Sequence, residues 1–329
     1  MDRRVTITDV ARAAGVATST VSRAFTNPGR VNQHTRAQVL EVARQLGYTP
    51  NAAARALESG RSNTLALLVP DITNPYFAGV IKGAERAAAA ADLILVLADT
   101  QENAATEEQL VRRLGPSVDG FVLSASRLPD AQLLEAANRH AVALVNRATP
   151  GLASVVADFD SGTRQIIDHL VSFGHRSVVF LGGPPESWSG ARRWAGLRAA
   201  AEDAGVTATR FGPYAPVLAG GAAAADAALA AGATAVVAHN DMLAIGVMQR
   251  MAHRGVDVPG DVSVVGFDDI VGAEFCWPPL TTLRERTEAA GAGAVEAVAA
   301  QAYAGVVEPS VRVLPTQLMV RASSGPRAG

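Results

Sequence analysis

The chain has 329 residues, of which 49% are apolar and 18% charged, enough for the cores of two or three domains and too few charges for disorder. Its one cysteine, Cys276, excludes an intramolecular disulfide and any multi-cysteine metal site. The formal net charge of −2 hides an asymmetry: residues 1–62 hold nine arginines against Asp2, Asp9, Glu41 and Glu58, a balance of +5, and the remainder carries −7. A basic head on an acidic body is the charge pattern of a small nucleic-acid module joined to something else. The most apolar stretch, residues 92–99, is far short of the roughly 20 residues a membrane span needs. The first residues lack the apolar run of a secretory signal, so a cytoplasmic protein is expected.

In the basic head, Ile7, Val10, Ala11 and Ala14 recur at the spacing of one helical face. The pattern predicts a short helix with Thr8 at its N-cap and Gly15 as its left-handed end. A second helix is predicted from Thr18. Val21, Ala24 and Phe25 share its inner face, and Thr18, Ser19, Ser22 and Arg23 the outer one. A third runs from about Asn32 to Leu46, with Val39, Leu40, Ala43 and Leu46 inward and Gly47 as its stop. Two short helices across a glycine-containing turn match the helix-turn-helix. The exposed hydroxyl-bearing and basic set suits the DNA major groove, where arginine grips guanine bidentately.

Three strings carry a more specific signal: Val5-Thr-Ile-Thr-Asp-Val-Ala-Arg-Ala-Ala-Gly-Val16, Thr20-Val-Ser-Arg23 and Gly47-Tyr-Thr-Pro-Asn51. Together they resemble the DNA-binding head of the lactose/galactose-repressor (LacI) family. The resemblance implies a head over 1–50 that meets DNA through Thr6, Ile7, Thr18, Ser19, Ser22, Arg23 and Arg30. It also implies a hinge helix and linker over 51–62. There Asn51 and Arg55 would meet DNA, and Leu57 would wedge between bases in the minor groove and bend the duplex. So short an alanine-rich segment cannot hold a stable helix alone in water; in the family two hinges fold against each other on DNA. Glu58 departs from the basic or neutral residue expected beside the wedge.

From Thr64 onward, β-rich runs alternate with helical segments. The strands are predicted at Leu65–Val69, Leu93–Ala98, Gly120–Leu123, Val142–Val145, Val155–Ala157, Val178–Leu181, Ala235–Ala238 and Val262–Val265. Buried strands separated by helices mean parallel sheets. So long a stretch predicts an α/β body of two doubly wound lobes, with ligands bound at the carboxyl ends of the strands. No enzyme motif appears: there is no G-x-S-x-G, P-loop, G-x-G-x-x-G or H-E-x-x-H, and the six histidines show no ligand spacing. His239, at a predicted strand end, is the one histidine of interest. Cys276, beside Trp277-Pro-Pro, reads as packing.

The body resembles the same family's effector domain, itself similar to periplasmic sugar-binding proteins. The matching segments include Val69-Pro-Asp-Ile-Thr-Asn-Pro-Tyr-Phe77, Leu144-Val-Asn-Arg147, Ala191-Arg-Arg-Trp-Ala-Gly196, Asn240-Asp241 and Val262-Ser-Val-Val-Gly-Phe-Asp-Asp269. The resemblance implies an effector and dimerisation domain over 63–329. Its periplasmic-binding-protein-like amino lobe would be about 63–160 with 285–315, and its carboxyl lobe about 161–284 with 316–329. It further implies an effector cleft formed by Tyr76, Phe77, Asn146, Ser187, Ser189, Arg193, Tyr214, Asn240 and Asp268. Arg147 and Asp158 are further candidates, and Asp269 is an alternative to Asp268. Aromatic faces can stack on a sugar ring or a base, the arginine fork can bind two hydroxyls, and a carboxylate accepts from hydroxyls. With Arg193 opposed by Asp268, and Asp158 only a further candidate, charge is nearly balanced, so a neutral sugar or polyol is favoured, then a nucleoside.

The expected protein is a homodimeric, cytoplasmic transcription regulator, a repressor, with operator DNA and a small-molecule effector as partners and no cofactor. The tail from Leu314 has no heptad pattern, so a dimer is expected rather than a coiled-coil tetramer. A transporter's solute receptor would carry a secretory signal and lack the helix-turn-helix. An enzyme with a DNA-binding head would need a catalytic constellation in the body.

Overall fold

The computed structural model describes residues 5–26, 28–48, 61–306 and 309–326. They form two compact units that divide between Ser62 and Asn63. The first unit has helices α1 (Ile7–Ala14), α2 (Thr18–Thr26) and α3 (Gln33–Gln45) around a core of Val10, Ala11, Ala14, Val21, Ala24, Val39 and Ala43. Phe25 and Tyr48 close one side, with ring centroids 6.0 Å apart. The N-cap of α1 is Thr6, two residues earlier than the predicted Thr8. The reason is Asp9 at the third helical position: its carboxylate accepts from the Thr6 backbone N–H at 3.0 Å and from the Thr6 hydroxyl at 2.7 Å. Gly15 ends the helix at φ +67°, as expected. Leu46, predicted inward, is 39% exposed because α3 stops at Gln45 and the chain turns away through Gly47.

The second unit contains two six-stranded sheets. The first has the order β11-β5-β4-β3-β1-β2, built from β1 (Thr64–Val69), β2 (Ile94–Asp99), β3 (Gly120–Ser124), β4 (Ala141–Val145), β5 (Ala153–Ala157) and β11 (Val311–Leu314), all parallel. The second has the order β12-β10-β9-β8-β6-β7, from β6 (Ser177–Leu181), β7 (Thr207–Phe211), β8 (Ala235–Ala238), β9 (Ser263–Asp268), β10 (Thr281–Arg284) and β12 (Gln317–Met319); only β12 runs antiparallel. The eight predicted strands are present within a few residues of their expected bounds. β7, β10, β11 and β12 were not predicted. β7, β11 and β12 are short edge strands. β10 is central but rich in threonine, and its Thr282 hydroxyl is buried by donating to Asp241 at 2.6 Å.

Period-two alternation gives each sheet two apolar faces. Leu65, Leu67 and Val69 face α4 (Tyr76–Ala90) and α12 (Thr287–Ala299). Ala66 and Leu68 face α5 (Ala104–Leu114) and α6 (Asp130–Ala137). In the second sheet Val178 and Phe180 meet α7 (Phe159–Ser172) and α8 (Trp188–Asp203). Val179 and Leu181 meet α9 (Gly221–Ala230) and α10 (Asp241–His253). A short α11 (Gly272–Phe275) follows β9. The chain passes between sheets after β5, after β10 and between β11 and β12. Among the described residues no helix is long and apolar enough to cross a membrane, and no cluster of three His, Cys, Asp or Glu side chains could hold a metal.

Candidate functional site

Two surfaces bring together the residues singled out by sequence. On the head, α2 presents Thr18, Ser19 and Arg23 exposed and Ser22 half-buried, because Val21 and Ala24 take the inward positions. Thr6 and Arg30 are also exposed, while Ile7 is half-buried against the head's core. Asn51, Arg55 and Leu57 lie outside the described residues.

In the body, the carboxyl ends of strands from both sheets border one open cleft. Its wall includes Tyr76, Phe77, Asn146, Ser187, Ser189, Arg193, Asn240 and Asp268. Most follow a strand or open the next helix; Asp268 ends β9, and Arg193 lies in the second turn of α8. Backbone conformations at these ends are unusual: Ala125, Asn146 and Asp268 have φ of +45°, +56° and +110°. Such strain in side-chain-bearing residues gathers at ligand sites. Tyr214 is not on this wall; it half-buries against the apolar core, and Pro216 of its loop reaches the cleft instead.

Arg193 organises the site. Its Nη1 donates to the His239 carbonyl at 2.6 Å, and its Nη2 to Asp268 Oδ1 at 2.8 Å and Glu285 Oε1 at 2.7 Å. The Tyr76 hydroxyl donates to the other Glu285 oxygen at 2.9 Å. The guanidinium lies 4.8 Å from the Phe267 ring centroid and 5.2 Å from that of Phe159. Burial opposes its charge, but Asp268 and Glu285 more than offset this and raise its pKa. Burial, against the pull of Arg193, lifts the Asp268 carboxyl well above the usual carboxylate range. Burial also raises the Tyr76 phenol, with Glu285 and Asp268 adding to it. Asp269 is turned away and pairs with Arg284 at 2.5 Å and Arg321 at 2.6 Å, so Asp268 is the aspartate on the cleft wall.

Several wall residues are already engaged. Ser187 caps α8, accepting from Gly190 N–H at 3.1 Å, and its hydroxyl lies 3.2 Å from that of Ser189. Asn240 caps α10 through Leu243 N–H and donates to Pro216 O at 3.0 Å. Trp188 is half-buried on the second sheet's core. Asp158 caps α7, and Arg147 is held by Asp130 and the Ser126 carbonyl. The His239 ring fills space left by Gly183 and Gly190, where a Cβ would come within 2.6 Å and 2.8 Å of it. Burial and Arg193 hold its pKa well below the usual value, so it is neutral at pH 7. Buried polar atoms without a protein partner among the described residues include Arg193 Nε, Asn146 Oδ1 and His239 Nδ1. Cys276 is half-buried, with its Sγ 3.5 Å from the Ala273 carbonyl and 3.4 Å from that of Pro278.

Sequence reasoning missed Glu285 and the pair Arg127–Glu102, which also lines the cleft. The available signal was positional. Arg127 and Glu285 both lie just beyond strand ends, where ligand residues collect.

Residues 6–51 match the family model described as bacterial regulatory proteins, lacI family, and residues 167–324 match that of the periplasmic binding protein-like domain. The transcriptional regulator DegA of Bacillus subtilis is 34% identical, over 98% of this chain and 99% of that protein. The chain belongs to the LacI family. The transcriptional repressor CytR of Escherichia coli is 31% identical over 97% of this LacI-family chain and 96% of its own. Among solved structures, a lac repressor dimer bound to operator and the anti-inducer ONPF superposes with a TM-score of 0.88 at 25% identity, covering 98% of this chain and all of that one. The regulator CelR in complex with cellobiose superposes at 0.72 with 30% identity, covering 97% and 100%. This LacI-family chain is a DNA-binding transcriptional regulator, and the family is not one of enzymes.

Proposed function

We propose that the protein is a cytoplasmic homodimeric repressor whose hold on a pseudo-palindromic operator is set by a small sugar bound between the two lobes. The lobes are 63–160 with 285–315, and 161–284 with 316–329. Closing them on the ligand changes the spacing of the hinges over 51–62 and so the fit of the paired heads to DNA. The observation that carries this reading is the cleft itself: polar side chains and Tyr76 and Phe77 converge on one cavity, with buried hydrogen-bonding atoms still unpartnered. The cellobiose bound to a relative supports a sugar as the ligand class. A thermal-shift screen of sugars, repeated with operator DNA present, tests it. A ligand that stabilises the protein yet leaves operator affinity unchanged would sink the coupling.

On the head, Arg23→Ala is expected to weaken specific binding by about 1–3 kcal/mol and relax base preference, as for a bidentate guanine contact. Titration of operator and scrambled duplexes at one salt concentration checks it. Equal loss on both would reduce Arg23 to a phosphate contact.

The dimer reading draws on an apolar face. Val271, Phe275 and Trp277 are 64%, 79% and 88% exposed, a concentration that marks association surfaces. Trp277→Ala combined with Phe275→Ala is expected to weaken self-association by about 2 kcal/mol or more. Sedimentation across a dilution series reads this; an unchanged dimer constant would remove this face from the interface.

A further inference from the structure

The charge of the cleft narrows the ligand further, taking as given that the cleft is the effector site. Arg127 and Glu102 cancel each other, with Nε and Nη2 at 2.8 and 2.5 Å from the same oxygen. Arg193 then faces two carboxylates, Asp268 and Glu285, on one nitrogen. Both side chains are 4% exposed, so water screens neither. Tyr76 donates a hydrogen bond to Glu285 but no charge. His239 is neutral and cannot serve as a second cation. Arg286, beside Glu285, is exposed and screened by solvent. Behind the wall, burial pushes the Asp241 carboxyl up to about 7, so at neutral pH it is only partly ionised and supplies no cation to balance the others. With Asp268 and Glu285 both ionised the cluster is one positive charge short.

The unpartnered atoms add a hydrogen-bond pattern. Arg193 Nε needs an acceptor, and Asn146 Oδ1 needs a donor. We propose that the effector is a small polyhydroxylated molecule carrying one protonated amine, which pairs with Asp268 while hydroxyls meet Arg193 Nε and Asn146. Glu285 supplies the excess negative charge from behind Arg193. The raised Asp268 carboxyl agrees: the pair resists holding both negative charges until a second cation arrives. The neutral sugar expected from sequence gives way to an amino sugar because Glu285 was not in that charge count. An anionic group would face two carboxylates and is excluded.

Calorimetry on the full-length protein tests this with matched pairs: glucose and glucosamine, galactose and galactosamine, adenosine and 5′-amino-5′-deoxyadenosine. The buffer is held near neutrality, where the sugar amines are still largely protonated and Asp268 can ionise on pairing with them. The amine member of a sugar pair is expected to bind roughly tenfold tighter than its parent, and the ratio to collapse toward one in Glu285→Gln. A neutral member binding as tightly as its amine partner overturns the charge proposal and leaves the sugar reading standing. Amine preference confined to the nucleoside pair removes the sugar reading and keeps the charge proposal. A preference that survives in Glu285→Gln overturns the role of Glu285, and no binding by any pair ends both readings. If Glu285→Gln does not fold, the ratio in the parent protein alone decides.

Discussion

Arg193→Met is expected to destabilise the second unit by about 3–5 kcal/mol, because it strands Asp268 and Glu285 as buried carboxylates without their cation. It also removes the donor to the His239 carbonyl and the cation above Phe159 and Phe267. For a unit of this size the melting temperature should fall by roughly 10 °C. Neutralising the partners as well, in Arg193→Met with Asp268→Asn and Glu285→Gln, should recover a large part of the loss, since the cost is the unpaired charge and not the missing volume. Both variants should lose effector binding. Thermal melts of the single and triple variants read the first effect. A single variant that melts with the parent would show that the carboxylates are neutralised some other way.

Gly83→Ala should be comparably damaging, although alanine in an open helix interior is the better residue by about 1 kcal/mol. Gly83 sits on α4 where it meets α12, and an added Cβ would collide with the backbone of Glu288. The approach is reciprocal: a Cβ on Gly291 of α12 would collide with the Val80 carbonyl of α4. Backbone cannot give way as a flexible side chain can, so the two helices must separate along their shared apolar seam. Overpacking of this kind costs about 3 kcal/mol, a drop of roughly 6–10 °C. Since α12 also covers β4 and β5, the damage should spread through the first sheet. Alanine at Gly83 with an unchanged or higher melting temperature would mean that the helices sit further apart than described.

The head was legible in the sequence because its signals are local. Helix ends are set by residues within a turn of each other, as with Gly15. The N-cap is local too: the Thr6–Asp9 capping box spans a single turn and places the helix start two residues before Thr8. The strands of the body were legible for a related reason, since a strand buried on both faces appears as a short apolar run. β10 escaped because its threonines look polar until Asp241 is seen to accept from one of them. Cleft residues next to strand ends, such as Asn146, Asn240 and Asp268, were named through the family resemblance, and the topology agrees with it, since every such end lies on the same side of a parallel sheet.

By itself, then, the sequence determined the class of each element, the order of head and body, and which strand ends could meet a ligand. Tertiary structure alone decided the partners. Arg193 and Glu285 lie 92 positions apart, and Tyr76 and Glu285 lie 209 apart. No periodicity or spacing encodes such pairs; they exist because the chain passes between the sheets beside the cleft, just after β10. The same holds for the glycines of α4 and α12, which read as weak helix formers until the helices are packed. Local chemistry specifies elements, whereas the charge of a buried site is set by which distant side chains the fold removes from water together.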